Sequence, residues 1–210
     1  MNPVLLLTGF EPFDGHAVNP SWEVAQALHG QVVAGLTVQS LRLPCTFSGS
    51  ASRLLQAINR QQPRVVLSLG LAPSRTQLSI ERLAVNINDA RIPDNQGVQP
   101  RDEPVVPGGP AAHFSTLPVK AQCAAVAALG VPVVLSYTAG TYVCNHVFYS
   151  ALHHAQARPG LKVGFINLPP LQGEFSLERQ KEAVLAALSV WAEAPGHGAE
   201  GPGGTIDGVA

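Results

Sequence analysis

Cys144 opens an apolar stretch, Cys144-Asn145-His146-Val147-Phe148-Tyr149, that reads as the first turns of a helix. It follows a strand-like run, Val131 to Ser136, and a loop containing Gly140. A thiol at that place meets the positive end of the helix dipole, which lowers its pKa and raises the thiolate fraction. The glycine permits close backbone approach, and free N–H groups at the helix start can stabilise an oxyanion. These are the requirements of a cysteine nucleophile. The alternative is that Cys144 is a small buried hydrophobe, the common fate of a free cysteine. Cys45, at a Leu-Pro-Cys-Thr-Phe strand end, and Cys123, in an alanine-rich helix, fit that plainer description.

Glu81-Arg82 with Asn86, Asn88, Asp89 and Arg91 sets several polar groups in an otherwise apolar segment. They make either an exposed hairpin with solvated charges or a carboxylate that orients a base, with an arginine near substrate. Spacing alone does not choose. Phe10 and Phe13 lie in the turn-rich Gly9-Phe10-Glu11-Pro12-Phe13. They either anchor that loop to the core or, with Tyr142, wall an apolar pocket of the kind small molecules occupy.

Alternation of apolar runs with helical stretches supplies the frame. Strands are expected at Val4 to Thr8, Val65 to Gly70, Val131 to Ser136 and Val163 to Asn167. Helices are expected from Asn19-Pro20 to about Leu28, Ser48 to Arg60, Ala121 to Leu129, Cys144 to His154 and Leu177 to Glu193. Short continuous apolar strands between helices signal a layered α/β domain with a largely parallel sheet. Ligands then sit at the carboxyl ends of the strands, which Gly9 to Pro20, Gly70 to Arg75 and Tyr137 to Val143 leave. Gln77 to Asp102 alternates and turns through Arg91 to Gly97, a hairpin-like excursion. Residues 1–194 form one domain, and the Gly-rich 195–210 is expected to be a disordered tail.

The 210 residues carry a net charge of −1, with 13 scattered Lys and Arg, which argues against a nucleic-acid partner. Charged residues are 13%, about half the usual quarter, so part of the apolar surface is expected at a subunit interface. Met1-Asn2-Pro3 lacks a basic n-region and Val4 to Leu7 is too short to span a membrane. Three cysteines without metal-like spacing imply free thiols in a reducing compartment. Seven histidines outside any HExxH or CxxC context give a metal site little support.

Four blocks resemble the pyrrolidone carboxyl peptidases (pyroglutamyl peptidase type I), in a likeness running from about Leu5 to Trp191. They are Thr8 to Phe13 with Asn19-Pro20-Ser21-Trp22; Glu81-Arg82 through Asn86 to Asp89-Ala90-Arg91-Ile92-Pro93-Asp94-Asn95; Phe114 to Val119; and Ala139 to Tyr149. The resemblance implies an open α/β/α sandwich, a cytoplasmic, cofactor-free enzyme acting on peptides with N-terminal pyroglutamate, and commonly a homotetramer. It implies a Glu, Cys, His catalytic set in which Glu81 and Cys144 carry over. Arg91 carries over beside the oxyanion region, and Phe10, Phe13 and Tyr142 as holders of the lactam ring.

The histidine does not carry over. Where the family has Gly-Phe-Ile-His before a hydrophobic residue and proline, this chain has Gly164-Phe165-Ile166-Asn167-Leu168-Pro169. Asparagine hydrogen-bonds but takes no proton near neutral pH. His146 does not share a face with Cys144, and His153 and His154 lie about 13–15 Å further along the helix. His16 and His113 stay open as substitutes. The expected function is pyroglutamyl hydrolysis through a thioester on Cys144, weakened at Asn167. The alternative is a degenerate relative that binds such peptides without turnover.

Overall fold

A computed structural model describes residues 2–192; the Gly-rich 195–210 lies outside the described residues. Seven strands form the main sheet. They are β1 (Val4–Phe10), β2 (Val32–Val33), β3 (Leu36–Leu43), β4 (Val65–Leu71), β5 (Leu78–Glu81), β8 (Val133–Ser136) and β9 (Lys162–Leu168). Their order is β2-β3-β1-β4-β9-β5-β8. The β3–β1, β1–β4, β4–β9 and β5–β8 pairs are parallel; β2–β3 and β5–β9 are antiparallel. The expected mostly parallel α/β sheet is present.

The side-chain period of two splits the core into two layers. Leu5 and Leu7 of β1, Val65, Leu67 and Leu69 of β4, and Ile166 and Leu168 of β9 face one way. They pack against α1 (Pro20–Ala27), α3 (Val119–Ala127) and α5 (Leu177–Ser189). Leu6, Val66, Val163 and Phe165 face the other way, against α2 (Phe47–Gln61) and α4 (Val143–Ala155). Strands buried on both sides are why β1, β4 and β9 read as unbroken apolar runs.

Local chemistry sets the helix starts. Asn19 caps α1, its Oδ1 accepting from Ser21 N at 3.1 Å, with Pro20 in the first turn. Thr46 Oγ1 accepts from Gly49 N to cap α2, one residue before the expected start, and Ser176 caps α5. Helix α5 stops at Ser189, earlier than the sequence suggested.

The hairpin-like excursion begins later than Gln77. Its first stretch, β5, joins the main sheet between β9 and β8. Past it, β6 (Leu83–Val85) pairs antiparallel with β7 (Ala112–Phe114), and Asn88 bridges Glu103. Strand β2 went unmarked in the sequence, and of β3 only the end before Cys45 was read. No helix among the described residues is long and apolar enough to cross a membrane.

Candidate active site

The chain leaves β1 by α1 toward β3, then returns by α2 to β4 on the other side of β1. The order of the sheet therefore reverses at β1, and a crevice opens at the strand ends there. A cavity of about 290 Å³ fills it, lined by Phe10 from the end of β1, Leu71 at the end of β4 and Arg75 after it, Asn167 near the end of β9, and Tyr142 and Cys144 at the start of α4.

Gly70 makes the centre of this site. A β-carbon there would lie 2.7 Å from both Asn167 Oδ1 and Cys144 Sγ, and 2.9 Å from the Phe165 ring. The thiol and the amide oxygen thus converge on one missing side chain, no more than about twice that distance apart. Gly70→Ala is expected to force them apart and to cost about 1–3 kcal/mol of overpacking. Denaturant unfolding, with thiol labelling of the folded protein, measures both effects.

Behind Asn167 stands Glu81, fully buried. Its Oε1 accepts from Asn167 Nδ2 at 2.8 Å and from Arg75 Nη1 at 2.6 Å, whereas Oε2 has no hydrogen-bond partner. Burial pushes the Glu81 carboxyl above its ordinary range; Ser136, Asn167 and Arg75 pull it back. Arg75 Nη2 also donates to Thr138 O at 2.8 Å, tying the loop before α4 to the carboxylate. Sequence reasoning marked the loop from Gly70 to Arg75 but missed Arg75 itself. A lone guanidinium on a strand-end loop six residues from a buried carboxylate was the available signal.

Cys144 sits in the first turn of α4, whose N-cap residue, Tyr142, makes no side-chain capping bond. Gly140 takes φ 78°, a left-handed turn that favours glycine, just ahead of the helix. Thr141 Oγ1 donates to Asp89 O at 2.7 Å and Asp89 N to Thr141 O at 3.0 Å, stapling this loop to the excursion. The expected lowering of the thiol pKa is overturned. Burial pushes the Cys144 thiol up, with Cys45 and Glu81 adding to it, and Arg75 pulling the other way. Desolvation of the charged form exceeds a dipole equivalent to about half a charge.

The aromatic residues form a wall. Phe13 and Tyr142 have ring centroids 6.0 Å apart, and Phe47 meets Tyr142 edge-on at 5.5 Å. The Tyr142 hydroxyl donates to Pro93 O at 3.1 Å. Phe10 is buried at the floor. Arg91, exposed, lines the rim with Asp89. One carboxylate clasps the wall shut: Glu11 Oε1 accepts from Cys45 N at 3.0 Å and Asn95 Nδ2 at 2.8 Å. Glu11→Ala leaves both donors without that acceptor, with an expected cost of about 1–2 kcal/mol read by thermal or denaturant unfolding.

None of the histidines considered as a substitute base lines the cavity. His16 lies exposed on the loop, 6.0 Å from the Phe13 ring. His113 is buried in a pair with His153, 3.1 Å between ring nitrogens. His146 hydrogen-bonds Asn88 at 3.1 Å, and burial lowers it to about 4. Asn145, beside the thiol, is wholly structural: its amide accepts from Val85 N and donates to Val85 O and Ile87 O, docking β6 on α4. Among the described residues no group of three or more His, Cys, Asp or Glu is placed to hold a metal ion.

By fold, then, this is a three-layer α/β protein with a thiol-bearing cavity at its strand ends. It belongs to the pyroglutamyl peptidase family, whose sequence model matches residues 4–193. It is 53% identical over 170 residues to the pyrrolidone-carboxylate peptidase of Klebsiella pneumoniae, covering 81% of this chain and 79% of that one. Its identity to the Pseudomonas fluorescens protein of the same name is 51% over 186 residues, covering 88% and 87%. Among solved structures it resembles pyroglutamyl peptidase I of Bacillus amyloliquefaciens, with a TM-score of 0.86, 39% identity, and 91% and 97% of the two chains covered. It likewise resembles the pyrrolidone carboxyl peptidase of Thermococcus litoralis, with a TM-score of 0.86, 36% identity, and coverage of 91% and 93%.

Proposed function

We propose that this chain removes N-terminal pyroglutamate from peptides, with Cys144 as nucleophile and with activity reduced by Asn167. The observation that carries the reading is the convergence of Cys144 Sγ and Asn167 Oδ1 on Gly70, inside an aromatic cavity, in a member of the pyroglutamyl peptidase family. The lactam lies between Phe10, Phe13 and Tyr142. Cys144 attacks the pyroglutamyl carbonyl, the tetrahedral oxyanion takes hydrogen bonds from N–H groups at the start of α4, and the peptide amine leaves. Arg91 at the rim supports the developing charge. Water then cleaves the thioester. Glu81, held by Arg75, fixes the Asn167 amide in the position from which a histidine would move protons.

A second reading, binding without turnover, is favoured by one specific observation: no candidate histidine lines the cavity beside the thiol. Calorimetry with a pyroglutamyl peptide and with its prolyl counterpart, which lacks the lactam carbonyl, tests the pocket. Release from a pyroglutamyl-aminocoumarin substrate tests the chemistry. Selective binding with release supports hydrolysis; selective binding alone supports the second reading; no preference for the lactam overturns both. Three free cysteines support a reducing, cytoplasmic setting, and the low charged fraction supports a homo-oligomer.

A further inference from the structure

Amide hydrolysis through a thiol needs protons moved at three points. The thiol must lose one, the departing amine must gain one, and the attacking water must lose one. Among the described residues, the groups around Cys144 are ill-suited to this. Asn167 offers an amide, with one Nδ2 hydrogen on Glu81, that neither gives nor takes a proton near neutral pH. Glu81 stands behind it, fully buried, holding Arg75 and Asn167 on a single oxygen. Tyr142 gives its hydroxyl proton to Pro93 O. The lining carboxylates Asp14 and Asp89 belong to exposed residues of the rim. What survives is a nucleophilic sulfur, an uncapped helix start and a shaped pocket.

The three proton requirements fall unequally on different reactants. An aryloxide or thiolate leaving group departs as an anion and needs no donor. An amine attacks through its own lone pair and loses its proton afterwards, whereas water is a poor nucleophile until a base takes its proton. We propose that this site is an acyl-transfer catalyst, taking pyroglutamyl groups from activated esters and thioesters and passing them to amines in preference to water. The inference rests on the reading of Cys144 as nucleophile given above and names the substrate class of that same site.

The steps balance. Cys144 Sγ bonds to the pyroglutamyl carbonyl carbon, the ester C–O bond breaks, the aryloxide leaves with the electron pair, and the thiol proton passes to solvent. The amine nitrogen then bonds to the same carbon, the C–S bond breaks, and the pair returns to sulfur. The amine gives one proton to solvent and the thiolate regains one. The sum is ester plus amine giving amide plus phenol. An amine can reach the thioester because the route by which a peptide amine leaves is the route by which one enters.

The test mixes the full chain with pyroglutamic acid 4-nitrophenyl ester, with and without glycinamide. A burst of nitrophenolate and an intact mass raised by one pyroglutamyl group are expected, both absent in Cys144→Ala. With excess glycinamide, pyroglutamyl-glycinamide should exceed free pyroglutamate by about tenfold or more after subtracting the Cys144→Ala background, since a missing general base slows the water reaction by 10²–10⁴. Asn167→His should shift the products back toward pyroglutamate, although the partition in the unaltered chain decides the matter without it. An adduct that yields only pyroglutamate overturns the transfer inference and leaves the nucleophile standing. Failure to form any adduct on Cys144 overturns both.

Discussion

Asn167→His is expected to raise aminocoumarin release from a pyroglutamyl substrate by about 10²–10⁴-fold, the usual worth of a positioned general acid and base. The site is prepared for it. Asn167 Nδ2 already donates to Glu81 Oε1, and an imidazole N–H in that direction would keep the same acceptor, fixing the tautomer with the other nitrogen toward the thiol. Gly70 leaves the room in which Asn167 Oδ1 and Cys144 Sγ now meet. Arg75 holds the same Glu81 oxygen at 2.6 Å. Steady-state kinetics on the folded variant give the answer. A gain below tenfold would mean that the missing imidazole is not what limits this chain.

Cys144→Ala is expected to bring release down to the uncatalysed background while leaving lactam binding in place, since the aromatic wall does not depend on the sulfur. The unaltered chain carries a companion signature in its pH dependence. Burial raises the Cys144 thiol, so at neutral pH the reactive thiolate is a small fraction of the whole. A raised pKa means that the protonated form persists as pH climbs. The thiolate, and with it the acylation rate, should therefore grow about tenfold per pH unit from about pH 6 toward alkaline solution. Asn167 has no proton to lose that would bend the curve. Asn167→His should replace the slope with a bell. A neutral-pH plateau in the unaltered chain would contradict a thiol raised by its surroundings and unassisted by a base.

How far the sequence disclosed this site follows from what each feature depends on. β4 and β9 were legible because both faces are buried and their composition says so. β3 showed only its end, because buried, half-buried and exposed residues mix along an eight-residue strand beside the edge. β5 was hidden inside the excursion because its place is set by pairing with β9, distant in the chain, rather than by local pattern. The place of Cys144 at a helix start was legible, but that left it open between nucleophile and buried hydrophobe; the motif blocks singled it out, with Glu81, Phe10, Phe13, Tyr142 and Arg91. The direction of the thiol pKa was not legible, since the burial that raises it depends on how distant segments close around the sulfur. Arg75 lacked a motif around it, and its meaning came only when Glu81 proved to be buried beside it. The histidines were settled by geometry alone, for each had a partner elsewhere or lay outside the cavity.

The division of the core between two helical layers has a practical consequence. The thiol rides on α4 and, with Phe165 and the space beside Gly70, belongs to the α2–α4 side of the sheet. Helices α1, α3 and α5, with the strand residues facing them, form a separate packing unit. Its ties to the cavity gather at the start of α1: the Ser21 hydroxyl accepts from Phe10 N at 2.9 Å, and Asn19, which itself lines the cavity, donates to Glu11 O at 3.0 Å. Apart from that knot, the α1–α3–α5 side is open to redesign: it can be repacked for thermal resistance, or diversified in a library, while the chemistry on the other side keeps its dimensions.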